Sequence, residues 1–199
     1  MHKLVDSMHA IKKGYFFGND IKKLLNVSDV SVPVTLHRLV HSNQITRVYH
    51  NVYTADIANL PWEQLAVDMY MPSYISFEYV LAKYGILSQQ PYNITLATLN
   101  RSRELETSDK VFTYHHLNEK MFFGFHKVGE YFEALPEKAF LDLLYLSMKG
   151  YAHFDLEEMN LELLDMGVMK KLLKQSGNQR LMERVVSMDY FKSNFVRLK

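Results

Sequence analysis

The sequence predicts an α+β protein in two parts, and three observations carry that prediction. Helical periodicity and a pair of short β-rich runs are packed into the first 56 residues. Further β-rich runs fall between Tyr92 and Ala134, and helical patterning returns from Pro136 onwards. Charge divides the chain in the same sense. The net charge is only +1, yet residues 1–56 hold seven basic and four acidic side chains (+3), residues 57–169 eight and sixteen (−8), and residues 170–199 eight and two (+6). The expected parts are residues 1–56 and 57–199. Five of the nine histidines, at positions 2, 9, 37, 41 and 50, fall in the first, and a basic end on a near-neutral chain points to a local polyanion contact.

In the first part Leu4, Val5, Met8 and Ile11 recur at helical spacing until Gly14 ends the pattern. Asn19 or Asp20 is placed to cap a short second helix carrying Ile21, Leu24 and Leu25. A third helix is expected from Ser31, its cap, to about His41, with Pro33 in the first turn where a missing N–H does no harm. Its apolar stripe is Val32, Leu36, Leu39 and Val40, which turns Ser31, Thr35, His37, Arg38, His41 and Ser42 outwards. The runs Ile45–Tyr49 and Val52–Thr54 read as strands joined at His50-Asn51, where Asn51 can take positive φ. Three helices followed by a hairpin have the order of an N-terminal winged helix-turn-helix.

The second part opens with two helical patterns, Trp62 to Met69, closed by Pro72, and Ser76 to Tyr84, stopped by Gly85. The β-rich runs Tyr92–Leu99, Val111–Leu117, Phe122–Val128 and Tyr131–Ala134 then predict a small sheet, with a charged turn at Arg101, Arg103, Glu104 and Glu106. Pro136 begins a strong helix, and a helical C-terminus follows in three pieces: Asp155–Met166, Val168–Gln175 and Gln179 to about Phe195.

The third helix carries a kit for reading double-stranded DNA. A guanidinium at Arg38 matches guanine O6 and N7, and Thr35 suits a thymine methyl or a base edge. Ser31, His37 and His41 share the outward face, Lys12, Lys13, Lys22, Lys23 and Arg47 sit where backbone clamps are needed, and His50 and Asn51 at the hairpin turn are also expected to meet DNA. The alternatives are a solvated helix face and a protein-contact module. His37 and His41 are spaced i, i+4 as in a metal site, but no glutamate and no third ligand accompany them, so no metal or cofactor is expected. His115 and His116 are adjacent on a strand and point to opposite faces. With no cysteine there is no disulfide, no thiolate metal site and no Cys nucleophile. No apolar window approaches a membrane span, and the charged N-terminus fits neither a signal peptide nor an anchor, so a cytoplasmic chain with no membrane partner is expected.

The second part resembles the AbiEi family of antitoxins. The resemblance runs through Tyr74-Ile75-Ser76-Phe77-Glu78, Tyr84-Gly85, Thr95-Leu96, Arg101-Ser102-Arg103, Phe112-Thr113-Tyr114-His115 and Phe122-Phe123-Gly124. It ends in Ala134-Leu135-Pro136-Glu137-Lys138-Ala139-Phe140-Leu141-Asp142. The family also begins with a winged helix, and Asn51-Val52-Tyr53 stands where its Gly-Val-Tyr would be. The resemblance implies a non-enzymatic antitoxin of a type IV, abortive-infection system. Such a protein represses its operon by binding inverted repeats in promoter DNA, and it counteracts a nucleotidyltransferase-like toxin without a stable complex. Candidate residues of the second part are Arg101, Arg103, Glu137, Lys138 and Asp142. The alternatives are a stand-alone DNA-binding regulator and an enzyme acting on nucleic acid or a phosphorylated partner through those same five residues. Carboxylates clustered in a cleft would favour the enzyme, a packed ion pair a structural role.

Overall fold

A computed structural model describes residues 13–25, 28 and 30–196, so the expected first helix, Leu4 to Ile11, and Lys12 lie outside the described residues. The chain divides into two compact units: residues through Leu65 together with Leu105–Val111, and Ala66–Glu104 together with the chain from Phe112.

The first unit contains strand β1 (Phe16–Phe17), helices α1 (Gly18–Leu25) and α2 (Ser31–His41), and strands β2 (Thr46–Tyr49) and β3 (Val52–Thr54). The strands form an antiparallel sheet in the order β1-β3-β2. β1 is too short to leave an alternating signal in the sequence, and it forms because Phe16 pairs with Tyr53 and stacks on its ring at 6.0 Å. The helices close on this sheet through Phe16, Ile21, Leu36, Leu39, Ile45 and Tyr53. Neither Asn19 nor Asp20 caps α1. Both lie inside the helix, and the Asp20 carboxylate reaches back to accept the Phe17 N–H at 2.9 Å, half of a capping box.

Helix α2 spans the expected residues, but its cap is Val30 rather than Ser31. Asn51 takes the expected positive φ, +61°, and its carbonyl accepts the Gly18 N–H at 3.1 Å. A Cβ on Gly18 would stand 2.1 Å from Asn51 Oδ1, so a side chain there would require the Asn51 amide to swing aside. The distant segment Leu105–Val111 joins this unit, where the Ser108 N–H donates to the Val48 carbonyl at 3.0 Å.

Helix α3 (Trp62–Met69) leads from the first unit into the second. There follow β4 (Ser73–Ile75), α4 (Phe77–Lys83), β5 (Ile94–Thr98), β6 (Arg103–Glu106), β7 (Val111–His116), β8 (Phe125–Val128), β9 (Tyr131–Ala134) and α5 (Pro136–Ser147). The mixed sheet has the order β6-β7-β5-β4-β9-β8, with β5 and β9 flanking the short β4. The expected charged turn is from Arg103 an edge strand, burying only Leu105 while its charged neighbours stay exposed, as suits an edge. Helix α5 is buried from Glu137 to Leu146, on every face, including its charged residues.

The C-terminal chain departs from the expected long helices. Asp155–Met166 is two single 3-10 turns, Leu156–Glu158 and Leu161–Leu163, separated by the extended Met159, which bridges Leu87 while the Asn160 N–H donates to the Ile86 carbonyl at 2.8 Å. Asp165 caps α6 (Met166–Ser176), which ends at Gly177 with φ +57°. Asn178 caps α7 (Gln179–Ser187). A single helix from Gln179 is interrupted at Met188, whose extended backbone starts α8 (Asp189–Val196) and lets Phe191 bury against Phe140 at 5.4 Å. Among the described residues no helix is long and apolar enough to cross a membrane.

Candidate nucleic-acid interface

The exposed face of α2 is set by its apolar side. Leu36 and Leu39 are buried, and Val32 and Val40 pack against the same cluster, which leaves positions 30, 34, 37, 38 and 41 along one outward stripe. His37, Arg38 and His41 are exposed on it, and the two imidazoles lie 6.2 Å apart, stacked along the helix. Beside the stripe a groove runs between α2 and the β2–β3 hairpin, lined among others by Pro33, His37, Arg47, His50 and Asn51. Arg47 Nη2 donates to His50 Nδ1 at 3.2 Å; a guanidinium can only donate, so Nδ1 is the acceptor. Lys22 and Lys23 are exposed on α1. The residues expected to meet DNA thus share one small unit, with a mixture of guanidinium, ammonium and imidazole groups.

Two expected readers face inwards chemically. The Thr35 hydroxyl donates to the Ser31 carbonyl at 2.8 Å, and the Ser31 hydroxyl is shared with that of Ser28 at 2.9 Å. Their polar groups serve the helix start. What the sequence pattern did not single out is the pair Val30 and Val34, 85% and 52% exposed on the stripe that carries Arg38. Their i, i+4 spacing was the available signal.

In the second unit the five candidates separate. Arg101 and Arg103 are exposed beside Tyr70, whose hydroxyl donates to the Arg101 carbonyl at 3.2 Å and whose ring lies 5.8 Å from the Arg103 guanidinium. Glu137 accepts the Asp165 N–H at 2.8 Å, tying α5 to the start of α6. Lys138 and Asp142, one turn apart, form an ion pair with no solvent exposure on either side chain. Asp142 also accepts the hydroxyls of Tyr74 at 2.9 Å and Ser76 at 2.8 Å, and Lys138 donates to the Tyr74 oxygen at 3.0 Å. Gly124, at φ +74°, lies over the lysine stem, where a Cβ would approach Lys138 Cγ and Cδ to 3.1 Å. Tyr74 and Ser76 carry no sequence signal of a link to Lys138 and Asp142, because only the fold brings the end of β4 to α5.

Burial pushes the Asp142 carboxyl up and the Lys138 ammonium down, against the pull of each on the other. The same desolvation, with the Asp142 carboxylate beside it, raises Tyr74 well above an ordinary phenol. A second buried carboxylate, Glu133, is satisfied by Lys83 Nζ at 2.5 Å and the Tyr84 hydroxyl at 3.0 Å. Among the described residues no three histidine or carboxylate side chains converge as a metal site requires.

The two adjacent histidines part as expected. His116 is exposed, with Nδ1 2.9 Å from the Asn100 carbonyl, whereas His115 is half-buried, edge-on to Phe77 at 5.1 Å. Burial holds the His115 imidazole below its ordinary 6.5. The unfolded chain therefore takes up that proton first, and the stability it carries above pH 6.5 is lost as the pH falls towards the lowered value. In urea titrations His115→Gln is expected to flatten the fall in midpoint below pH 6.5; an unaltered fall would remove His115 as a contributor.

Set against known proteins, the chain matches no family model and no curated protein.

Proposed function

We propose that the first unit is a winged helix-turn-helix that binds double-stranded DNA, and that the chain is an AbiEi-like antitoxin acting in the cytoplasm. It represses its own operon at inverted repeats in the promoter and counteracts a nucleotidyltransferase-like toxin through its second unit. The observation that carries the DNA reading is the outward stripe of α2, where His37, Arg38 and His41 stand exposed beside the hairpin bearing Arg47. A helix of this kind places side chains against base edges while flanking cations hold phosphates. The antitoxin part rests on the sequence resemblance. The closed Lys138–Asp142 pair supports a structural role for those two residues over a catalytic one.

Gel-shift titration of the full chain on its own promoter fragment, with a scrambled duplex as control, tests the first part. Each phosphate contact adds about one unit to the salt slope, so Lys22→Ala/Lys23→Ala is expected to lower the slope by about two units on both duplexes. A slope equal to the wild type places those lysines away from DNA. Co-expression with the toxin encoded beside it tests the second part: Arg38→Ala should still rescue growth while losing repression. Failure of the intact chain to rescue would sink the antitoxin reading alone.

A further inference from the structure

Helix α2 carries two exposed valines where a solvated helix face would carry polar groups. Val30 is 85% exposed and Val34 52% exposed. They are spaced i, i+4, and Arg38 continues the same row one turn on, with His37 and His41 beside it. Large apolar side chains left bare in register with a basic group are more informative than exposed apolar residues scattered singly.

The hydroxyls of that first turn are engaged locally. The Ser31 and Ser28 hydroxyls are hydrogen-bonded to each other, and the Thr35 hydroxyl donates to the Ser31 carbonyl. The start of α2 therefore presents the Val30 and Val34 methyl groups beside serine and threonine hydroxyls already engaged in local hydrogen bonds, and the basic groups begin at His37. Base edges in the major groove offer one apolar feature, the C5-methyl of thymine, and valine methyls suit it. The flanking Arg47 and Lys23 are exposed and match the charge of the phosphates that border the groove.

Resting on the DNA-binding reading above, we infer that Val30 and Val34 are specificity-determining residues that read thymine methyl groups in the operator, in register with a guanine read by Arg38. One helical turn separates Val34 from Arg38, about 6 Å, which sets the thymine about two base-pair steps from that guanine. The site selects thymine over cytosine by apolar contact and over uracil by the methyl alone.

The test exchanges thymine for deoxyuridine, which removes that methyl and leaves every Watson–Crick group in place. The promoter fragment is synthesised once with dTTP and once with dUTP, and the full-length chain is titrated on both by fluorescence anisotropy. Each lost methyl contact is expected to weaken binding about fourfold. The wild type should therefore prefer the thymine duplex, and Val30→Ser/Val34→Ser should bind the two duplexes alike while melting no lower than the wild type, since serine is the better helix cap at position 30. Equal binding of both duplexes by the wild type overturns the inference and leaves DNA binding standing, and so does discrimination that survives in the double variant. Binding to neither duplex, at any salt concentration, overturns the DNA reading and the inference with it.

Discussion

Lys138→Met is expected to lower the stability of the second unit by about 3–5 kcal/mol, the usual cost of removing one partner from a buried ion pair. The cost arises at Asp142, which has no solvent exposure and whose carboxyl burial already pushes up. Without the ammonium the carboxylate keeps only the Tyr74 and Ser76 hydroxyls. It must then hold a charge in the interior or take up a proton. A raised folded-state value means that the unfolded chain releases this proton first, so the penalty grows as the pH climbs from the ordinary 3.8 towards the raised value. Below that range the carboxyl is protonated in both states, and the variant should lie closest to the wild type. Lys138→Met/Asp142→Leu removes both charges, yet it strands the Tyr74 and Ser76 hydroxyls, so it should recover only part of the loss. Urea unfolding followed through the tyrosines, with the two variants side by side, measures this. A single variant as stable as the wild type at neutral pH would show that the pair contributes no net stability.

Arg38→Ala is expected to cost about 1–3 kcal/mol at the operator, the discrimination of one bidentate contact to guanine. Arg38 is exposed on α2, away from the buried Leu36 and Leu39, so the substitution leaves the core of the first unit untouched. Its effect should therefore fall on binding and not on folding. The loss should also be specific: affinity for the promoter drops while affinity for a scrambled duplex changes far less, the reverse of the pattern expected when Lys22 and Lys23 are removed. Equal losses on both duplexes would make Arg38 a phosphate contact, and no loss on either would take it off the interface.

Much of this molecule is written in local sequence. The α2 helix follows from its i, i+3, i+4 apolar stripe, the hairpin from strand patterning around Asn51, and α5 from Pro136 at its first position. These are short-range effects, set by backbone preferences within one or two turns. The outward placement of His37, Arg38 and His41 was legible for the same reason, since burying one side of a helix fixes the other.

Elements whose cause lies far along the chain were not legible. β1 exists because Phe16 meets Tyr53, and β4 because it is flanked by strands that begin and end up to about sixty residues later. The edge strand at Arg103 looked like a charged turn because its pairing partner is not encoded in its own residues. Pairing of Met159 and Asn160 with Ile86 and Leu87, about seventy residues earlier, divided an expected helix into isolated turns, a contact that periodicity does not register.

The sequence by itself determined the composition of the candidate site, its basic charge and the helix that presents it. Which of those groups remain available depends on hydrogen bonding and burial in the folded chain. Local bonds within one turn engage the Ser31 and Thr35 hydroxyls, whereas the fold leaves Val30 and Val34 bare and closes Lys138 and Asp142 into a core shared with Tyr74 and Ser76. A residue type sets what a side chain can bind, whereas its burial, which depends on distant chain, and its hydrogen-bond partners, near or far, set what remains available to bind.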